Sequence, residues 1–314
     1  AMLKLAEGYE SGVGLNRDLD EAARWYAKAA DNGEIEAMYR LSDLYYEHKE
    51  CDEHMVQAFR WAEKAAQNGM PRARLGNAIE LEYDVFGDPT DPPLVLVMGL
   101  GAQMIFWDEE FCEGLADRGR FVVRFDNRDV GLSTKLDHLG LPDLASMLPA
   151  LLGGRPVLAP YLLSDMADDA AGLLDALDLE AAHVVGASMG GMIAQTLALR
   201  HPDRVETLTS IMSTTGKPGL PGPTPEAQRV LLTPPPADRD GVIARGLDTW
   251  RVIGSPGFPL DEERVRARAG QAFDRCFAPQ GVARQLAAIL ASGSRHEALG
   301  ALRTPTLVVH GDAD

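Results

Sequence analysis

Cysteine is scarce in this chain, as are basic residues and long apolar runs. Three cysteines, Cys51, Cys112 and Cys276, scattered through 314 residues, are too few for a disulfide framework and form no metal-binding spacing. Thirty Lys and Arg stand against 47 Asp and Glu, a formal net charge of −17. That balance argues against nucleic acid and anionic membrane surfaces as partners. No stretch reaches the roughly 18 apolar residues of a membrane span. No signal-peptide pattern opens the chain either, so the reading is a cytoplasmic protein. What remains is ordinary for globular protein, 46% hydrophobic and 25% charged, with a length that suggests two domains.

The most informative stretch is AHVVGASMGG, residues 182–191. A short β-branched run breaks into G-x-S-x-G and then into a helical pattern that ends at His201-Pro202. This is the signature of a nucleophile elbow, a tight strand-to-helix turn that forces its serine out of the sheet. The turn needs small neighbours, supplied by Gly186, Ala187, Gly190 and Gly191. Ser188 is therefore the candidate nucleophile. Such a site needs two backbone N–H donors for an oxyanion, one after the nucleophile and one in the loop after an earlier strand. Met189 and Leu100 fill those positions.

The flanking sequence predicts the sheet that this turn requires. Apolar runs at 94–97 and 121–125, bounded by turn residues, read as strands buried on both faces. Further strands are predicted at 205–212 and 306–311. Strands alternating with helical patterns mean a doubly wound, mainly parallel α/β sheet with its ligand at the carboxyl ends of the strands. The charged turn after the second run, Asp126 to Ser133, reads as structural, its charges hydrogen-bonding the loop. Met98, Leu100, Met104, Met189 and Met212 would line an apolar acyl pocket or belong to the core.

The first seventy residues repeat with a period of 36. Ala1-Met2 recurs as Ala37-Met38, Arg24-Trp25 as Arg60-Trp61, and Asn32-Gly33 as Asn68-Gly69. Small and aromatic residues at helical spacing, with Asn-Gly closing each second helix, predict an α-solenoid of antiparallel helix pairs. Alanines would let the helices approach, and Trp25 and Trp61 would fill the gaps between pairs. These repeats resemble the Sel-one-like relatives of tetratricopeptide repeats, which implies a possible protein partner. Pro71-Arg72-Ala73 starts a third unit in register that Asn77 and the strand-like Ile79-Glu80-Leu81 then interrupt, placing the domains at 1–70 and 71–314.

From about Leu75 onward the chain resembles the α/β-hydrolases. The motifs MGLGAQMIFW, FDNRDVGLSTK, VVGASMGGMIA and TPTLVVHGDAD are most similar to the branch of aclacinomycin methylesterase-like esterases. The resemblance implies a serine hydrolase acting on a small-molecule carboxylic ester or related acyl compound through an acyl-enzyme, without cofactor or metal. It also implies a helical lid at about 214–295, with helices near 225–232, 238–253, 261–276 and 279–292. In that family the triad acid follows the strand ending in His-Gly in a G-x-x-D pattern. Asp314 takes that place, with Asp312 as the alternative. The family's histidine comes some tens of residues later, so the domain is expected to be incomplete at its carboxyl end and inactive as 314 residues. Of the histidines present, His183 sits five residues before Ser188, roughly 16 Å at ~3.3 Å per residue, toward the wrong end of the strand. His201 ends the following helix, His296 and His310 flank the last strand, and His48 and His54 belong to the repeats. Only His138 leaves the catalytic edge. An interaction scaffold with a catalytically silent hydrolase domain is the alternative function.

Overall fold

The computed structural model describes residues 2–12, 14–34, 37, 38, 40, 41, 44, 72–74, 79–153, 155, 157–233 and 236–312. The chain divides into two compact units, Ala1–Glu80 and Leu81–Asp314, ten residues beyond the boundary expected from the repeats.

In the first unit, α1 (Met2–Ser11) and α2 (Leu19–Asp31) form the helix pair of the first repeat. Asp18 caps α2 by accepting from the Glu21 N–H at 3.0 Å, which satisfies one of the donors orphaned at a helix start. The core is alanine-rich: Ala6, Ala22, Ala29, Ala30 and Ala37 are buried together with Tyr26, Met38, Leu41 and Leu44. Side chains this small let the helix axes approach. Tyr26, not Trp25, is the aromatic at the centre. It is wholly buried and donates its hydroxyl to Glu10, whereas Trp25 packs at the rim with the Lys28 ammonium over its ring. The sequence register puts Trp25 and Tyr26 one position, about 100° of helix, apart, so only one of them can face the core. Trp61 lies outside the described residues. The start of the third unit is no helix: Arg72–Arg74 is a short strand, β1.

The second unit is built on a sheet whose strands from residue 80 onward are β2 (Glu80–Phe86), β3 (Pro93–Val97), β4 (Phe121–Phe125), β5 (Ala182–Ala187), β6 (Val205–Ile211) and β7 (Thr306–Val309). Their spatial order is β2-β4-β3-β5-β6-β7. β3 to β7 run parallel, while β2 pairs antiparallel with β4, Tyr83 opposite Phe125. Every residue of β4 and four of the five in β3 are buried, as expected of strands covered on both faces. Helices α3 (Glu109–Ala116), α4 (Leu144–Leu152), α5 (Leu163–Ala176) and α6 (Met189–Arg200) accompany this sheet. On α5 the residues Leu163, Met166, Ala167, Ala170, Leu173 and Leu174 are buried, the i, i+3, i+4, i+7 stripe of a helix with one apolar face. The 214–295 segment carries α7 (Pro225–Leu232), α8 (Arg239–Ile253), α9 (Glu262–Arg275) and α10 (Pro279–Ala291), within a residue or two of the expected spans. A short helix, α11 (His296–Leu299), leads into β7. No helix among the described residues is long and apolar enough to cross a membrane.

Candidate active site

Ser188 stands between the last residue of β5 and the first of α6 with φ 56° and ψ −120°. A non-glycine residue rarely adopts positive φ, and it does so here because the surroundings hold it from both sides. The Ser188 N–H donates to Ile211 O at 2.9 Å, and its carbonyl accepts from the Ser213 hydroxyl at 2.8 Å and the Gly191 N–H at 2.9 Å. The glycines of the motif are there for space. A Cβ on Gly190 would lie 2.1 Å from Val97 O, and one on Gly186 would lie 2.2 Å from Gly190 O. Backbone cannot yield at those distances, so the turn admits no side chain at either position. The elbow expected from G-x-S-x-G is present in full.

The loop after β3 comes up against this serine. The Cβ position of Gly99 is 3.2 Å from Ser188 Cβ and 3.7 Å from Ser188 Oγ. Residues 99–102 form a four-residue turn closed by the Ala102 N–H on Gly99 O at 3.2 Å, with Gly101 at φ 67°. Leu100 is not among the positive-φ residues, so this is a type II turn, whose third position requires glycine. Because a trans peptide points its C=O and N–H in opposite directions, a Gly99 carbonyl engaged inside the turn leaves the Leu100 N–H facing out of it. Among the described residues no partner accepts the N–H of Leu100 or of Met189, whereas the neighbouring Gly101 N–H donates to Gln285 Oε1 at 2.9 Å. The two amides singled out from sequence are thus available donors flanking Ser188.

The third sequence-derived side chain, Asp314, lies outside the described residues, and its alternative Asp312 is exposed. His183 hydrogen-bonds Thr207 Oγ1 at 2.8 Å and approaches Glu206 at 3.2 Å, and His201 meets Asp168 at 2.7 Å. His138 is exposed on a single turn of 3₁₀ helix. Of the five apolar candidates for an acyl pocket, Met104 and Met189 are fully buried and belong to the core, while Met212 is half exposed at φ 40°. No three His, Cys, Asp or Glu side chains among the described residues converge as metal ligands.

The charged turn after β4 is saturated by the protein itself. Asp126 accepts from the N–H groups of Met104 (2.7 Å) and Leu132 (2.9 Å) and pairs with Arg275 at 2.5 Å. Arg128 makes a two-pronged pair with Asp169 at 2.5 and 2.6 Å. Asp129, wholly buried, takes both prongs of Arg284 at 2.7 and 2.9 Å, the Tyr161 hydroxyl at 2.8 Å and the Leu136 N–H at 2.8 Å. Burial alone would raise the Asp129 carboxyl, but Arg284, Leu136 and Tyr161 outweigh it and hold it below the usual carboxylate range. The same burial and the same carboxylate push the Tyr161 hydroxyl far upward. Sequence reasoning reads the loop as structural and places α10 only as part of the lid, missing that Arg284 on it completes the loop.

An elbow serine on a mainly parallel sheet, with two free amides beside it, is the arrangement of the α/β hydrolases. The chain belongs to that family: residues 92–314 match the alpha/beta hydrolase fold, and residues 1–34 and 35–70 each match the Sel1 repeat. It is similar to rhodomycin D methylesterase DauP of Streptomyces sp. (strain C5), 33% identical over 201 residues covering 58% of this chain and 61% of the relative. Rhodomycin D methylesterase DnrP of Streptomyces peucetius is 32% identical over 219 residues, 63% of this chain and 67% of the relative. The chain thus spans about two thirds of the length of these two relatives. Among solved structures it resembles the enol-lactonase of Burkholderia xenovorans LB400, with a TM-score of 0.56 and 26% identity over 77% of this chain and 81% of that one.

Proposed function

We propose that this protein is a carboxylic ester hydrolase that works through an acyl-enzyme on Ser188, with methyl esters of bulky carboxylic acids as the first substrates to test. The observation that carries this reading is the strained Ser188 at φ 56°, with its Oγ beside the Gly99 turn. Methylesterase relatives support the ester class. In this reading Ser188 Oγ attacks the ester carbonyl while a histidine base, oriented by Asp314, takes its proton. The N–H groups of Leu100 and Met189 receive the oxyanion of the tetrahedral intermediate. Collapse expels the alcohol, protonated by the same histidine, and water then resolves the acyl-enzyme by the reverse proton route. The N-terminal repeats offer a surface for a protein partner and take no part in the chemistry.

The test is Ser188→Ala in the full-length protein. Turnover of a p-nitrophenyl ester should fall by about 10⁵-fold or more, since the members of such a unit act together, and labelling by a fluorophosphonate should vanish. Persistent labelling of a folded Ala variant would move the nucleophile elsewhere and favour the scaffold reading.

A further inference from the structure

The cap segment is usually thought of as the movable part of such a molecule, yet one of its helices is fastened to the catalytic loops. On α10 the residues Gly281, Arg284, Gln285 and Ala288 are buried, again the i, i+3, i+4, i+7 stripe of a single face. Gly281 lies so close to Asp129 that a Cβ there would be 2.0 Å from Asp129 O. Val282 packs against Gly101, its Cγ2 3.0 Å from where a Cβ would be. Arg284 closes the ion pair with Asp129. Gln285, wholly buried, uses both ends of its amide: Oε1 accepts from the Gly101 N–H at 2.9 Å, and Nε2 donates to Arg128 O at 2.8 Å.

The bond to Gly101 falls on the one peptide in the turn that is otherwise free to rotate. In a type II turn the central peptide, here Leu100–Gly101, can flip to the type I arrangement by counter-rotation of the torsions on either side. That flip changes ψ of Leu100 and φ of Gly101 and turns the Leu100 carbonyl over, while the Gly99–Leu100 peptide keeps its N–H where the Gly99 carbonyl sets it; what the bond to Gln285 fixes is therefore where the turn as a whole stands against Ser188. Glycine at 101 removes the steric bar to either form. The conformer is therefore set by what the central N–H binds, and it binds Gln285.

We propose that Gln285 is a positioning residue for the oxyanion site: from the cap helix it anchors the 99–102 turn, through the Gly101 N–H, at the place where that turn presents the Leu100 N–H to the Ser188 centre. This rests on Leu100 being an oxyanion donor, as proposed above. It makes α10 part of the catalytic frame, beside α9, whose Arg275 pairs with Asp126 and whose Ala272 carbonyl accepts from Gln103 Nε2 at 2.7 Å.

The test compares wild type, Ser188→Ala, Gln285→Met and Gln285→Glu in the full-length protein, with active sites titrated by a fluorophosphonate so that only folded enzyme is counted. Gln285→Met keeps the bulk and removes the acceptor; Gln285→Glu keeps an oxygen for the Gly101 N–H. For Gln285→Met, kcat per titrated site should fall 30- to 100-fold with KM within threefold, and the Ki of a phenylboronic acid, which takes a tetrahedral form on the serine, should rise in parallel. Gln285→Glu should recover at least a third of the wild-type kcat. A loss caused only by partial unfolding would lower the number of titratable sites and leave Ki unchanged, which overturns the proposal. Wild-type kcat and Ki in Gln285→Met overturn it as well, while leaving the Ser188 reading intact. If Ser188→Ala itself keeps turnover, the site is elsewhere and both readings fall. Should Gln285→Met give no folded protein, Gln285→Ala decides by the same two measures: a fall in kcat per titrated site with a parallel rise in Ki upholds the proposal, and wild-type values overturn it.

Discussion

The loops after β3 and β4 leave the sheet side by side, Asn127 of one donating to Met98 O of the other at 2.9 Å, and they are built on opposite principles. The β4 loop is dense with charge, and every one of its buried carboxylates and guanidiniums is met by the protein. The β3 loop, Met98 to Gln103, carries no charge, and among the described residues its Leu100 N–H has no partner. The conspicuous motif is therefore the brace. The plain one carries the Leu100 N–H that we propose as an oxyanion donor.

Breaking the brace should have the largest effect. Asp129→Ala strands Arg284, 1% exposed at its side chain, in the interior without its main counter-charge. Removal of one partner from a buried pair costs about 3–5 kcal/mol, which at ~2–4 °C per kcal/mol for a unit of this size lowers the melting temperature by about 10 °C. Replacing both, Asp129→Ala with Arg284→Leu, should cost less than the sum of the singles, since no charge is then left alone. Additive losses in a double-mutant cycle would show that the pair is not the clamp it is taken to be here.

Acid should weaken the same brace, with a definite sign. The folded Asp129 carboxyl titrates below its unfolded value of about 3.9. Its contribution is therefore fully present above pH 4 and is lost as the pH falls through the lower, folded value. Urea midpoints of wild type and Asp129→Ala should accordingly differ most between pH 5 and 8 and converge below pH 4. A gap that stays constant down to pH 3 would mean that the carboxylate is not what the variant removes.

Local chemistry is what the sequence displays well. G-x-S-x-G, the apolar runs of β3 and β4 and the helical periods of α7 to α10 are set by neighbours a few positions apart, and the 36-residue repeat by direct recurrence; all are read from the sequence alone, the second repeat matching Sel1 over residues 35–70. The brace was only half visible. Its acceptors could be read as structural because charged residues crowded a tight turn, but Arg284 lies 155 positions from Asp129 and Gln285 184 from Gly101, distances at which no periodicity operates. One signal was available: in GVARQLAAILA, Arg284 and Gln285 fall on the small-residue face with Gly281 and Ala288, and polar side chains on the inward face of a helix need partners somewhere. β2 was glimpsed only as a strand-like interruption at 79–81, and its antiparallel pairing with β4 could not be inferred from it. The central place of Tyr26 in the first repeat has the same origin, because composition names Trp25 and Tyr26 alike and only the rotation of α2 decides which is wholly buried.

The smallest effect should come from the residue nearest the chemistry. Leu100 contributes a backbone N–H, and Leu100→Ala leaves that group, the Gly101 turn and the Gln285 bond in place. What it removes is a partly exposed apolar side chain, at most a contact with substrate. Ester turnover should therefore change by less than about tenfold, under about 1.4 kcal/mol, with the melting temperature nearly unmoved, although an equally conservative truncation at Asp129 unfolds the domain early. Steady-state kinetics on a short and a long acyl ester separate the possibilities. A small rise in KM confined to the long ester fits a side chain that only touches substrate. A hundredfold loss of kcat on both esters in a folded protein would mean that the Leu100 side chain holds the turn, and then the proposed oxyanion site beside Ser188 is shaped by packing and not by the hydrogen bonds assigned to it.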